Sequence, residues 1–143
     1  MTVSFFVVGI PKPQGSKKAF VRGGRAQLVE SAGQPLKDWR ADVRAAALDA
    51  MGDGGPLVGP LFVHLDFVMP RPKSARKRDV YPATRPDVDK LARGALDALT
   101  GVMYGDDGQV VSLAASKVLA AAAGDRTGAR ITVRPMTTGE QQQ

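Results

Sequence analysis

The stretch LFVHLDFVM, residues 61–69, alternates without a break: Leu61, Val63, Leu65, Phe67 and Met69 share one side, while His64 and Asp66 share the other. Side chains of a strand point alternately to opposite faces, so this segment requires a sheet with one apolar face to bury. Such a face needs a second layer, and two segments at helical spacing supply it. Leu36, Trp39, Val43, Ala46 and Ala47 recur three or four residues apart, predicting an amphipathic helix from about Leu36 to Met51. Val88, Leu91, Ala95, Leu96 and Leu99 form a second stripe, on a helix starting near Asp87–Asp89 and ending at about Thr100, with Gly101 where a C-cap belongs. Further strands are expected at 3–9 and at 108–120 and 128–135, the last two paired through AAAGDRT; a hairpin over 19–30 turns at Gly23-Gly24. These elements predict a single two-layer α+β domain over residues 1–136, with a mainly antiparallel or mixed sheet and two principal helices. The polar tail 137–143 is expected to be disordered. No internal repeat is present.

Several function classes are excluded by what is missing. The 143-residue chain has no cysteine and one histidine, His64, which rules out disulfides, thiolate chemistry and a histidine-built metal site. No apolar run reaches the ~18 residues of a membrane helix. The amino terminus is apolar first and basic afterwards, the reverse of a secretory signal, so a cytoplasmic protein is expected.

Charge is concentrated. The net charge is +6 and the pI about 10.0. RPKSARKR carries Arg71, Lys73, Arg76, Lys77 and Arg78 without an acid, and a second cluster holds Lys12, Lys17, Lys18, Arg22 and Arg25. Clustered cations at this pI are the footprint of a polyanionic partner, nucleic acid before others. The basic run lies in a connection, residues 70–86, that contains four prolines, and long connections of this kind are functional or disordered.

Against that background, residues 85–111 hold five aspartates, Asp87, Asp89, Asp97, Asp106 and Asp107, and no glutamate. Asp87 and Asp89 diverge in mid-helix but converge where the chain is still extended, which Pro86 favours. Capping the helix accounts for one aspartate. It accounts for neither the second nor Asp106 and Asp107. Carboxylates gathered in one place repel each other, and a divalent cation removes the conflict; oxygen-only ligands favour Mg²⁺, with Mn²⁺ as substitute, over zinc. The spacing is not that of an EF-hand. Asp89, Arg93 and Asp97 fall on one helical stripe, so Asp97 is expected to hold Arg93.

The order R-x-D-x-D-x-L, then D-A-L, then D-D-x-Q-V-V, from Arg85 to Val111, resembles the RusA family of Holliday-junction resolvases, as does the opening GIPKPQGSKKAF. The resemblance spans most of residues 3–120. It implies a homodimeric Mg²⁺-dependent endodeoxyribonuclease that cuts four-way DNA junctions by paired symmetric nicks. It further implies that Asp87, Asp89 and Asp107 are the essential carboxylates, with Asp106 adjacent as a further metal ligand. Two positions depart from the pattern. Lys90 stands where the family usually has asparagine, and Arg93 where it has a functional lysine one turn after the second aspartate. Arginine keeps a positive charge for a phosphate but effectively cannot release a proton. Arg93 is therefore expected to stabilise charge, with Lys90 and Lys117 as the alternatives for any proton transfer.

Phosphodiester hydrolysis needs an activated water, neutralised phosphoryl oxygens and help for the leaving 3′ oxygen, all of which a bound Mg²⁺ supplies. Lys17, Lys18, Arg71, Lys73, Arg76, Lys77, Arg78, Lys90 and Lys117 are the expected phosphate contacts, giving affinity without sequence information. A two-fold dimer suits a junction that needs two opposed cuts, its interface either the first helix, through Leu36, Trp39 and Val43, or an edge strand. Trp39 reads more simply as core, and His64 with Asp66 as a surface hydrogen bond. Two other readings stand beside the nuclease: a junction-binding module without cleavage, and a metal-dependent hydrolase of other phosphate esters.

Overall fold

The computed structural model describes residues 1–15, 17–22, 25–30 and 33–137, and only the backbone within 17–30. Strands β1 (Val3–Val8), β2 (Lys17–Arg22) and β3 (Arg25–Glu30) precede helix α1 (Gly33–Met51); β4 (Leu61–Met69), α2 (Val88–Leu99), a short 3₁₀ turn (Asp107–Gln109), β5 (Val110–Leu119) and β6 (Gly128–Pro135) follow. The main sheet has the order β1-β6-β4-β5, and β2 with β3 makes a separate antiparallel pair in register Arg22↔Arg25. The turn at Gly23-Gly24 and the tail from residue 138 lie outside the described residues.

β4 alternates as expected, buried at Leu61, Val63, Leu65, Phe67 and Met69 and half-buried between them. That buried row joins Ile131 and Val133 of β6, Trp39 and Val43 of α1, and Leu91 and Leu99 of α2 in one core. Both helices thus lie on one face of the sheet. Leu36, Trp39 and Val43 are fully covered inside the chain, which removes them from the candidate interface and leaves the edge strand.

One strand pairing differs from expectation. β5 and β6 do not pair with each other; β4 lies between them, antiparallel to β6 and parallel to β5. The physical reason is the intervening α2. A chain leaving β4 through a helix returns to the same edge in the same direction, as a β–α–β unit, and the sheet becomes mixed. β5 is consequently an edge strand. Its Leu113 shares the helix-side face with Val63 by register yet is 46% exposed, and Val111, at the register shift opposite Leu61/Phe62, is 59% exposed.

Two glycines fix close approaches. A Cβ at Gly128 would collide with the Val7 carbonyl and lie 2.8 Å from the Phe6 ring, so only glycine lets β1 pair there. A Cβ at Gly94 would stand 3.2 Å from the Lys12 carbonyl, and the Gln14 amide donates to the Lys90 carbonyl at 2.9 Å. The segment before the β2–β3 hairpin is thereby laid along the first turns of α2.

Candidate active site

α2 begins where the amphipathic stripe begins, with Asp87 in extended geometry at the N-cap position. Its side chain makes no capping hydrogen bond. Asp89 lies in the first turn, both residues are exposed, and neither carboxylate has a hydrogen bond or ion pair among the described residues. Two unpartnered carboxylates thus stand at the positive end of a helix dipole, which tolerates them. Lys90 and Arg93 are exposed on the same first turns.

The approach to this helix is held by Lys117. From near the end of β5 its ammonium donates to the carbonyls of Thr84 at 2.5 Å and Pro86 at 2.9 Å, immediately before Asp87. Lys117, expected as a phosphate contact, fastens backbone here. Arg71 behaves the same way. Its guanidinium donates to the carbonyls of Ala120 (2.6 Å), Arg76 (2.8 Å) and Asp79, closing the basic connection on itself. The Leu119 amide also donates to the Val80 carbonyl at 2.8 Å. The long connection is therefore an ordered strap along the end of β5, on which Lys73, Arg76, Lys77 and Arg78 remain exposed. Lys17 and Lys18 open β2, and their side chains lie outside the described residues.

Asp106 and Asp107 sit elsewhere. Asp106 caps the 3₁₀ turn, accepting from the Gly108 amide at 2.8 Å. Gln109 Oε1 in turn accepts from the amides of Gly105 (2.9 Å) and Asp106 (3.2 Å), and its amide nitrogen donates to the carbonyls of Leu57 and Gly59. This reciprocal cap is legible in the sequence as D-x-x-Q, Asp106 to Gln109, a capping signal that competes with a metal role for Asp106. Asp107 is exposed, and its carboxylate takes no hydrogen bond among the described residues.

The turn lies at the carboxyl end of α2. Tyr104 is buried there, its hydroxyl donating to the Leu96 carbonyl at 3.0 Å. Burial, and after it the neighbouring charges of Asp107 and Asp97, push its phenol far above the usual tyrosine value, while a Thr100 hydrogen bond opposes the shift. A helix of 12 residues separates this turn from Asp87, about 18 Å at ~1.5 Å per residue. Among the described residues no group of three or more His, Asp or Glu side chains is close enough to hold a metal ion. Within one chain, then, Asp87 and Asp89 share the start of α2, and Asp107 does not form a three-carboxylate group with them among the described residues. Asp97 also has another partner than expected: Arg40 of α1 reaches it at 3.5 Å, because α1 packs against α2.

The fold and the site define a class: a small two-layer α+β domain, cationic overall, with free carboxylates at the amino end of a crossover helix. Comparison with known proteins then supplies the family. Residues 9–134 match Endodeoxyribonuclease RusA, and the chain belongs to that family, which implies endodeoxyribonuclease activity. The uncharacterized protein YqaN of Bacillus subtilis (strain 168) is 31% identical over 125 residues, 80% of this chain and 86% of the relative. No helix among the described residues is long and apolar enough to cross a membrane.

Proposed function

We propose that this protein is a Mg²⁺-dependent endodeoxyribonuclease that resolves four-way DNA junctions by paired symmetric nicks, and that its active site is completed by a second copy. The observation that carries this reading is the pair Asp87 and Asp89, without a cap bond or ion pair among the described residues, with a third such carboxylate, Asp107, at the opposite end of the same β–α–β unit.

The donor set fits a hard cation by chemistry, since every candidate ligand is a carboxylate oxygen. Two carboxylates from one chain are too few, and the edge strand suggests the remedy. A two-fold axis across β5 sets it antiparallel to its partner. The start of one β5, beside Asp107, then meets the end of the other, where Lys117 holds the approach to Asp87. Exposed Val111 and Leu113 supply apolar surface for that contact. Asp87 and Asp89 of one protomer and Asp107 of the partner subunit would hold the ion, and Asp106 stays with its turn. When bound, Mg²⁺ supplies an acidified water and a clamp on the phosphoryl oxygens.

The chain's own residues do the rest. Lys117 fixes the backbone that carries Asp87. Arg93, exposed one turn beyond Asp89, presents a permanent charge to the scissile phosphate and takes no proton. Lys73, Arg76, Lys77 and Arg78 hold the flanking phosphates. Two such sites related by a two-fold axis suit two opposed cuts.

A labelled synthetic four-way junction tests this reading, incubated with Mg²⁺ or with EDTA. Symmetric nicks in Mg²⁺ alone are expected, with Asp87→Asn, Asp89→Asn and Asp107→Asn each binding the junction without cutting it. Wild-type cutting by all three variants refutes the assignment; binding without nicks by the wild type makes the protein a binding module.

A further inference from the structure

The strap between β4 and α2 closes over a small cavity of about 180 Å³. All four prolines of the connection, Pro70, Pro72, Pro82 and Pro86, line it. Met69 and Leu119, register partners where β4 and β5 finish, complete its apolar wall. Met69 belongs to the buried row of β4, so the cavity lies on the helix side of the sheet. Proline fixes φ and has no N–H, so these walls are stiff and present no backbone donor. The carbonyls of Thr84 and Pro86, both lining residues, already accept from Lys117. Arg85, another lining residue, is exposed and has no hydrogen bond or ion pair among the described residues. The wall thus carries two cations, Arg85 and Lys117, and no acid among the described residues that form it. Pro86 directly precedes Asp87.

We infer that this cavity receives one nucleobase of the junction, unstacked from the nucleotide beside the phosphate that is cut; the inference rests on the DNA-cleaving reading above and adds a subsite to that centre. The volume lies below the ~300 Å³ at which pockets begin to take drug-sized ligands, leaving room for a single ring system and none for a base pair. Stiff apolar walls suit the flat face that every base offers. Charge selects a nucleotide over an apolar peptide side chain, because a base arrives with its phosphate and the wall is cationic. Position ties the subsite to the carboxylates, since the wall residue Pro86 is bonded to Asp87. Within a duplex arm, a base must give up both its pair and its stack to enter. At the branch point, where strands change arms, stacking is already interrupted and extrusion costs least. The cavity therefore favours branched DNA by requiring a base that only a branch releases cheaply.

The test places 2-aminopurine at successive nucleotides around the branch point of a synthetic four-way junction and reads its fluorescence on binding the full-length protein in EDTA, apart from cutting. A rise is expected at a nucleotide flanking the nicked phosphate, because the probe leaves its stack for walls that do not quench it. Pro72→Trp fills the cavity and should slow nicking of the intact junction about 10-fold or more in Mg²⁺. A junction made abasic at that nucleotide has no base to accommodate, so the variant and the wild type should nick it at equal rates. Thr84→Trp fills the cavity from another part of the strap and serves if circular dichroism and melting show that Pro72→Trp does not fold. A wild-type protein that cuts the junction with no fluorescence rise at any position overturns this inference and leaves the nuclease reading intact. So does a filled variant that cuts the intact junction at the wild-type rate, or one slowed equally on the intact and abasic junctions. A wild-type protein that does not cut in Mg²⁺ refutes the nuclease reading, and this subsite with it.

Discussion

If Asp107 completes the site of its partner subunit, two inactive variants should restore each other. Asp87→Asn removes a ligand from the α2 end of a protomer, and Asp107→Asn removes one from the β5 end. The helix between them spans about 18 Å, too far for one chain's carboxylates to share an ion. In a mixed dimer, the intact α2 end of the Asp107→Asn copy faces the intact Asp107 of the Asp87→Asn copy. One of the two sites is whole and the other has lost two ligands. Random exchange makes about half of the dimers mixed, each with one site of two, so roughly one quarter of wild-type sites return. The assay is nicking of a labelled junction after the variants are mixed under conditions that allow subunit exchange. Recovery to about that quarter is expected. The products should be single nicks, because a mixed dimer has no second site to cut the opposed strand. A site housed within one chain gives no recovery, since each copy would then lack its own ligand. Silence in the mixture, with exchange demonstrated by differently tagged copies, refutes the shared-site geometry.

Three further outcomes follow from particular contacts. Lys117→Met removes a charged donor to two carbonyls; about one such bond's worth, ~1.5–3 kcal/mol, is lost because the exposed Thr84 carbonyl regains water, and nicking should fall roughly 10–100-fold at unchanged junction affinity. A lower salt slope with full cutting at saturating DNA would instead make Lys117 a phosphate contact. Gly128→Ala forces a Cβ onto the Val7 carbonyl and should lower thermal stability by at least ~2 kcal/mol, with β1 amides losing hydrogen-exchange protection first; an unchanged melting temperature contradicts that packing. Tyr104 keeps its proton in the fold well above the ~10 at which an unfolded tyrosine loses it, so unfolding releases a proton in alkaline solution and stability falls as pH rises past ~10, by up to ~1.4 kcal/mol per pH unit. Tyr104→Phe should flatten that decline in melting experiments between pH 9 and 11, though it also gives up the Leu96 bond at neutral pH.

Period-two and period-3.6 patterning made the elements legible because burial on one face dictates it: β4 matches its alternating run residue for residue, and α2 its apolar stripe to within a residue at either end. Strand order was not legible between β5 and β6, since pairing depends on where α2 returns the chain, and no residue in either strand encodes its neighbour. The site divides in the same way. Asp87 and Asp89 could be read together because they lie within one turn, where local geometry alone sets their relation. Asp107 could not be placed from sequence, as its position depends on the length of α2 and the direction of β5. The cations show a third limit. Arg71 and Lys117 look like phosphate ligands by composition, yet they hold backbone carbonyls, because a guanidinium or ammonium beside an otherwise unsatisfied carbonyl is drawn to it. Conversely, Arg130 and Arg134 form no run, and they come to stand over Phe6 and Phe62 only when β6 is paired with β1 and β4. Charge runs in this chain mark a strap, and the fold decides which of its cations are already engaged.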